Sequence, residues 1–382
     1  LQAAPGRGIL DVGGDGGTRL AGGRVVPGPP PPGATAPRLL STSWDAIQHK
    51  LARRGPRVTG CTIEHAGDDS WSVQSSSLLV LARDGRSIVL ASEDDGPAQH
   101  LQPGDRLRDP VSGALFLCKT VEPVARADAG LTPDVARRID EAPAWSAWRV
   151  GRRWVRVLTD RDLAFDAGRS LLCDDRRCND FLFRGNTVRS SGRGALVKAS
   201  DGLIESNVFE NVHAAVVIDP EVPAGAAAEI ERVVIRHNRI DGSGEFCPAP
   251  WSPQAGAIVA AARQDGTTQR SAGAIRSVAI EFNEFRNVAG VNVALGSLRG
   301  GLVRGNRFER PGWRPPPSTG AAFGVAQTAV VWIARSVGVG LEGNLVTEPG
   351  PHAPVPVAVG PDTTNLIGVA DGVAVRPSGD PR

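Results

Sequence analysis

Apolar residues in this chain fall in short alternating runs of a few residues, broken by Gly, Pro, Asn or Asp. Alternation on that scale predicts half-buried β-strands separated by tight corners. The run Arg57–Ser76, RVTGCTIEHAGDDSWSVQSS, shows it well. Val58, Cys61 and Ile63 predict one short strand, Ala66-Gly67 break it, and a second strand resumes at Trp71–Gln74. Between them stand Asp68 and Asp69. Gly67 predicts a corner where both carboxylates point outward. Two adjacent acids on a bend repel each other, which raises one pKa. Folding has no use for that arrangement, so a site is expected there.

From Phe181 onward the pattern repeats. FRGNTV, IESNVF, IRHNRI, IEFNEF, VRGNRF and LEGNLV each carry an apolar residue, two others, Asn, one other and an apolar residue. The Asn positions are 186, 207, 238, 283, 306 and 344, with gaps of 21, 31, 45, 23 and 38. A unit of roughly 22 residues accounts for these if the gap of 45 is two coils and the others carry loops. Asn tolerates left-handed backbone, and its amide can bond an identical amide in the next coil. One corner Asn per short unit predicts an all-β chain folded as a right-handed parallel β-helix. The same period joins Asp45 to the acidic pair, since Asp45 precedes Asp68 by 23 residues. Coils stack about 4.8 Å apart. Asp45 is therefore expected beneath Asp68 and Asp69, with the three carboxylates in one patch.

Between Leu78 and Arg161 the texture changes. LLVLA, SIVLAS, GALFLCKTVEPV and WVRVL are longer strands, and Asp134–Glu141 reads as a short helix. This predicts a small antiparallel barrel or sandwich inserted in the larger body. The expected organisation is N-terminal coils with the acidic site over 1–77, the inserted unit over 78–161, and C-terminal coils and tail over 162–382. Residues 1–40 read as Gly/Pro-rich turns with short strands, and Pro27–Ala34 as a rigid crossing or surface loop.

Composition narrows the partners. The 382 residues are 41% hydrophobic, enough for a substantial core, and the net charge is only +2 with no basic block. That leaves no footprint for nucleic acid. No apolar run reaches the roughly 20 residues of a membrane span. The five Cys are an odd number, and Cys173 and Cys178 stand close enough in sequence to pair without matching a metal spacing. No metal or other cofactor is expected, although clustered carboxylates also suit a hard cation such as Ca²⁺. Oligomeric state is left open.

SWDAIQ…GPRVTGCTIEHAGDD resembles the pectate-lyase-like β-helix superfamily, and within it the β-helical glycoside hydrolases. The pattern is most similar to the family 110 exo-α-galactosidases and their bacterial relatives. In these, a Gly-Asp-Asp turn is followed by a barrel insertion and then by a segment like RGALVKASDGLIESNVFENV, here Arg193–Val212. The resemblance runs from about Gly13 to Val346. It implies inverting hydrolysis of a terminal α-galactoside in an oligosaccharide or polysaccharide, without a cofactor, and a secreted or periplasmic location. Asp68 then matches the general acid, and Asp45 and Asp69 the residues that activate water. Relatives often carry His where this chain has Gln48 and Gln74. Gln hydrogen-bonds a sugar but cannot shuttle a proton; His49 and His65 are the nearby imidazoles.

Around the acids, Trp44 and Trp71 are candidate platforms for a sugar face, because the indole is broad and amphipathic. Gln48, Gln74, Arg193 and Lys198 are candidate substrate-binding residues, and Glu221, before a Pro/Ala-rich loop, is a candidate for the cleft wall. Asp174 and Asp175 read as surface. Core packing competes as a role for the tryptophans, and solvated strand ends for Arg193 and Lys198. Two other functions stay open: a non-catalytic carbohydrate-binding or surface β-helix, and a polysaccharide lyase, which needs a Lys or Arg base.

Overall fold

The computed structural model describes residues 4–75, 77–91, 100–141, 154–221, 229–244, 255–262, 269–316 and 324–376. Among these residues, three parallel sheets of nine, eight and nine strands stack coil upon coil, and a six-stranded antiparallel barrel closes on itself. The chain visits the sheets in a fixed order. Arg193–Lys198 lies in the first sheet, Gly202–Glu205 in the second, Val208–Glu210 in the third, and Ala214–Ile218 returns to the first. Arg193–Val212 is thus one complete coil of a right-handed parallel β-helix. No helix among the described residues is long and apolar enough to cross a membrane.

Each coil buries one apolar residue per short strand, and registered pairing stacks these into columns. Val58, Phe183, Ile204, Ile235, Ile280 and Val303 align in the second sheet. Ile63, Val188, Phe209, Ile240, Phe285 and Phe308 align in the third. All are fully or almost fully buried. Phe285 and Phe308 stack with centroids 4.8 Å apart.

The corner between the second and third sheets carries the Asn ladder. From Asn186 to Asn344 each Nδ2 donates to the Oδ1 of the next Asn at 2.9–3.0 Å. Each also donates to a backbone carbonyl in the coil before, as Asn238 does to Ile204 at 3.0 Å. All six side chains are about 1% exposed, so their hydrogen bonds have no competing water. Two expectations are corrected. The left-handed residue is the one before each Asn: Gly185, Ser206, His237, Phe282, Gly305 and Gly343, with φ between 54° and 65°. The 45-residue gap is one coil with a long loop, since Asn238 bonds Asn283 directly. Cys61 occupies the same corner one coil earlier, where its N–H donates to Asn186 Oδ1 at 2.8 Å. Hence Val58–Ile63 is not one strand. Arg57–Thr59 and Thr62–Glu64 lie in different sheets, with a left-handed Gly60 between them.

The barrel leaves the helix after Trp71–Gln74 and comprises Ser77–Asp84, Ser87–Ala91, Arg106–Arg108, Leu115–Val124, Trp154–Thr159 and Ser170–Cys173. The last strand lies past residue 161, the end expected from sequence. Closure needs it, because it pairs with both Ser77–Asp84 and Arg106–Arg108. The barrel is filled by Leu78, Val80, Ile88, Leu90, Phe116 and Val157, among others. Helix Pro133–Glu141 covers its outside, where Val135 and Ile139 pack on Leu79, Leu81 and Val89. Burial on both faces explains why LLVLA and SIVLA run apolar without alternating. At the seam Asp105, wholly buried, takes Arg53 at 2.5 Å and Arg176 at 2.6 Å. Asp174 and Asp175, expected at the surface, pair with Arg108 and Arg106. Cys173 and Cys178 do not pair: both are free and buried, one in the barrel core and the other in the helix core.

Candidate functional site

The candidate site lies on the outer face of the first sheet, where three successive strands, Ile47–Lys50, Trp71–Gln74 and Arg193–Lys198, run side by side. Alternation sends Ile47, Trp71 and Ala195 inward and Gln48, Ser72 and Leu196 outward. Just before these strands the chain turns, and there the register aligns Asp45, Asp69 and Arg193. Ile47 pairs with Trp71, Trp71 with Ala195, and the Ala46 N–H donates to the Asp69 carbonyl at 2.8 Å. Asp45 is therefore level with Asp69, and Trp44 with Asp68. The turn is as tight as the sequence suggested. A Cβ on Gly67 would meet the Ser43 carbonyl oxygen at 2.7 Å, so only glycine lets the two coils approach this closely.

The two adjacent acids have different environments. The Asp68 side chain is 56% exposed, whereas that of Asp69 is 2% exposed. Asp69 is gripped by Arg193, Nε on Oδ1 at 2.5 Å and Nη2 on Oδ2 at 3.0 Å. The expectation that both carboxylates point outward is corrected: the second turns in to meet a guanidinium from the next coil. Arg193 also donates through Nη1 to Glu221 Oε1 at 2.9 Å and lies 3.7 Å from Asp68. Lys198, at the far end of the same strand, pairs with the other oxygen of Glu221. Glu221 reaches both because it follows strand Ala214–Ile218 at a left-handed residue (φ 44°), with its N–H held by Asp219 Oδ1 at 2.8 Å. Asp45, 6% exposed, accepts Gln48 Nε2 at 2.8 Å and Ser72 Oγ at 2.7 Å, both on Oδ2. Gln74 Nε2 donates in turn to Ser72 Oγ at 3.0 Å.

The electrostatics follow. Burial pushes the Asp68 carboxyl above its ordinary value; Arg193 and Lys198 oppose this, while Asp45 and Glu221 add to it. Its partial exposure limits the shift through solvent screening. Asp69 is pushed well up, chiefly by burial and against the pull of Arg193. For Arg193 burial alone lowers the pKa, but Asp69, Glu221 and Asp68 outweigh it and the net direction is up, so the guanidinium stays charged.

The tryptophans divide. Trp44 is 54% exposed with the Arg7 guanidinium 4.8 Å over its ring, and remains available as a platform. Trp71 points inward, is fully buried and stacks on Phe183 with centroids 4.5 Å apart. It belongs to the core and is not a substrate contact, because its strand position has inward parity. His49 also points inward, taking Trp71 Nε1 on Nδ1 at 3.3 Å, and His65 sits on an exposed left-handed corner. Among the described residues no group of three or more His, Cys, Asp or Glu is arranged to hold a metal. Glu221 is the residue that sequence placed least well. Only the loop composition around it was visible, because its partners depend on the path of a turn.

Fold and site together define a right-handed parallel β-helix protein with an acidic cluster on the outer face of one sheet. No protein-family model and no curated protein matches the sequence. Among solved structures, the Gp54 tailspike of Acinetobacter baumannii bacteriophage AP22, in complex with A. baumannii capsular saccharide, aligns at 12% identity and a TM-score of 0.22, covering 88% of this chain and 68% of that one. The tailspike gp49 from Pseudomonas phage LKA1 aligns at 10% identity and 0.16, covering 88% and 72%. The Pseudomonas phage phi297 tailspike gp61 aligns at 10% identity and 0.15, covering 85% and 71%. Overlaps this low carry no weight for this chain, whose fold rests on its own strand pairing.

Proposed function

We propose that the protein is a carbohydrate-active hydrolase that removes a terminal sugar with inversion, Asp68 acting as general acid and Asp45 as general base. One observation carries the reading: two carboxylates from adjacent coils meet on one outer face in contrasting surroundings. Asp68 is held up in pKa at the solvent edge. Asp45 is oriented by two neutral donors. Carboxyl groups whose environments differ in this way divide into acid and base. An inverting site needs them roughly 6.5–9.5 Å apart, with water between base and sugar. Asp69, with both oxygens on Arg193, anchors that cation beside Asp68 and does not activate water. Trp44 offers the sugar a face, and Gln74 steadies Ser72. The resemblance of the Gly-Asp-Asp turn makes a terminal α-galactoside the first substrate to try. A lyase is a poorer fit, because Arg193 and Lys198, the cations that would act as base, are both spent on Glu221.

The test is a screen of purified protein on nitrophenyl glycosides and oligosaccharides, with the anomer of the first-formed product read by NMR. An inverted product is expected; a retained anomer, or no turnover of any glycoside, overturns the reading. A second reading, a saccharide-binding module, is favoured by the buried and mutually neutralised Asp69–Arg193–Glu221–Lys198 network. Saccharide binding by calorimetry without hydrolysis is its signature.

A further inference from the structure

Among the described residues, the amide oxygen Oε1 of Gln48 is buried and accepts no hydrogen bond. The side chain is almost wholly enclosed, 4% exposed, and its orientation is set by its nitrogen, which donates to Asp45 Oδ2 at 2.8 Å. Turning the amide over would put oxygen against carboxylate. A buried acceptor without a donor is unfavourable, so such a group in a native site calls for an explanation. The Asp45 hydrogen bonds sharpen the point. Both donors, Gln48 Nε2 and Ser72 Oγ, fall on Oδ2, and among the described residues none falls on Oδ1. Gln48 Oε1 and Asp45 Oδ1 are therefore the two acceptors of this hydrogen-bonded pair left without a donor among the described residues. Two cations of the cluster, Arg193 and Lys198, are directed to Asp69 and Glu221.

We infer that Gln48 and Asp45 jointly hold a water molecule, and that this water is the nucleophile of the hydrolysis proposed above, on which the second half of the inference rests. Water suits the place because it is the smallest group with two O–H donors, one for each acceptor. A sugar hydroxyl has a single proton to give. In the reaction the water oxygen bonds to the anomeric carbon as the bond to the leaving oxygen breaks. That oxygen keeps the bonding electron pair and takes the proton of Asp68. The water proton facing Asp45 passes to Asp45 Oδ1. The proton facing Gln48 stays on the new sugar hydroxyl. An amide is well suited to this second role, because it fixes one hydrogen without competing as a base.

Crystallography of the ligand-free wild-type protein tests the water directly, whether or not a substrate is known. An ordered water within about 3.2 Å of both Gln48 Oε1 and Asp45 Oδ1 is expected. Its absence, or a protein donor in its place, overturns the inference and leaves the hydrolase reading standing. Gln48→Met, close in shape but without the acceptor, should lose the water and lower kcat on the order of 10²-fold with KM unchanged, as for a misplaced nucleophile. Wild-type kcat in that variant overturns the nucleophile role. If the wild type hydrolyses no glycoside, the hydrolase reading and the nucleophile role fall together, while the water remains visible in the crystal. Should Gln48→Met fail to fold, the wild-type crystal still decides.

Discussion

Arg193 grips both oxygens of Asp69 through Nε and Nη2, although 124 residues separate the two in sequence. The whole barrel lies between them. The contact exists because the chain, after building the barrel, returns to the first sheet one coil above the point where it left. Strand Arg193–Lys198 then pairs with Trp71–Gln74 in parallel register.

Loss of this pair should be costly. Arg193→Met leaves Asp69 buried without its cation, while Glu221 keeps Lys198, and uncompensated buried charge is destabilising by about 3–5 kcal/mol. Chemical denaturation near neutral pH should show that loss. It should shrink as the pH falls, because Asp69, whose pKa burial raises, then protonates. A variant as stable as wild type would mean that the network contributes nothing to the fold.

For chemistry, Asp68→Asn should remove about 10²-fold or more of the hydrolysis while leaving the fold intact. The defect should narrow on a substrate with an activated leaving group, which needs less protonation. Asp45→Asn should show no such rescue. Because Asp68 must be protonated to act and its pKa is raised, wild-type activity should fall as pH rises through that value. Steady-state kinetics of both variants on the two kinds of substrate, together with the wild-type pH–rate profile, check these points.

Asn238 is a middle rung of the ladder, with Asn207 and Asn283 as its neighbours. Asn238→Ala strands buried donors and acceptors on both sides and should cost about 2–4 kcal/mol. Asn238→Asp keeps the acceptors but sets a carboxylate against the Asn283 Oδ1 and Ile204 O atoms, and should cost at least as much. Denaturation midpoints of both variants against wild type measure this.

His49 gives the protein an acid-sensitive element. Burial lowers its pKa from 6.5 to about 4, with Asp11 pulling the other way. Between those values the unfolded chain binds a proton that the folded protein does not. Stability from this group is therefore complete above pH 6.5 and is lost as pH falls toward 4, by about 3 kcal/mol in all. Asp68 and Asp69, with raised values, act in the opposite sense: they contribute most at low pH and less as pH rises. Comparing wild type with His49→Gln across this range isolates the histidine, and identical pH profiles would refute its role.

The sequence by itself determined the β-helix. The ladder asparagines and their apolar neighbours repeat locally, so a helix with one buried Asn per coil was legible from the motif around Asn186, Asn207 and Asn306. Asp45 and Asp68–Asp69 were also legible as coil neighbours, because one period separates them. The tertiary structure alone decided what no period encodes. Parity along a four-residue strand sent Trp71 inward and Gln48 outward, and a corner at Gly60, mistaken for mid-strand, separated two sheets. The loop that stretched one coil to 45 residues is invisible to a repeat count. Above all, the partners of Asp69 and Glu221 come from different coils, and a salt bridge between coils depends on register and the path of the turns, which are settled only when the whole stack closes.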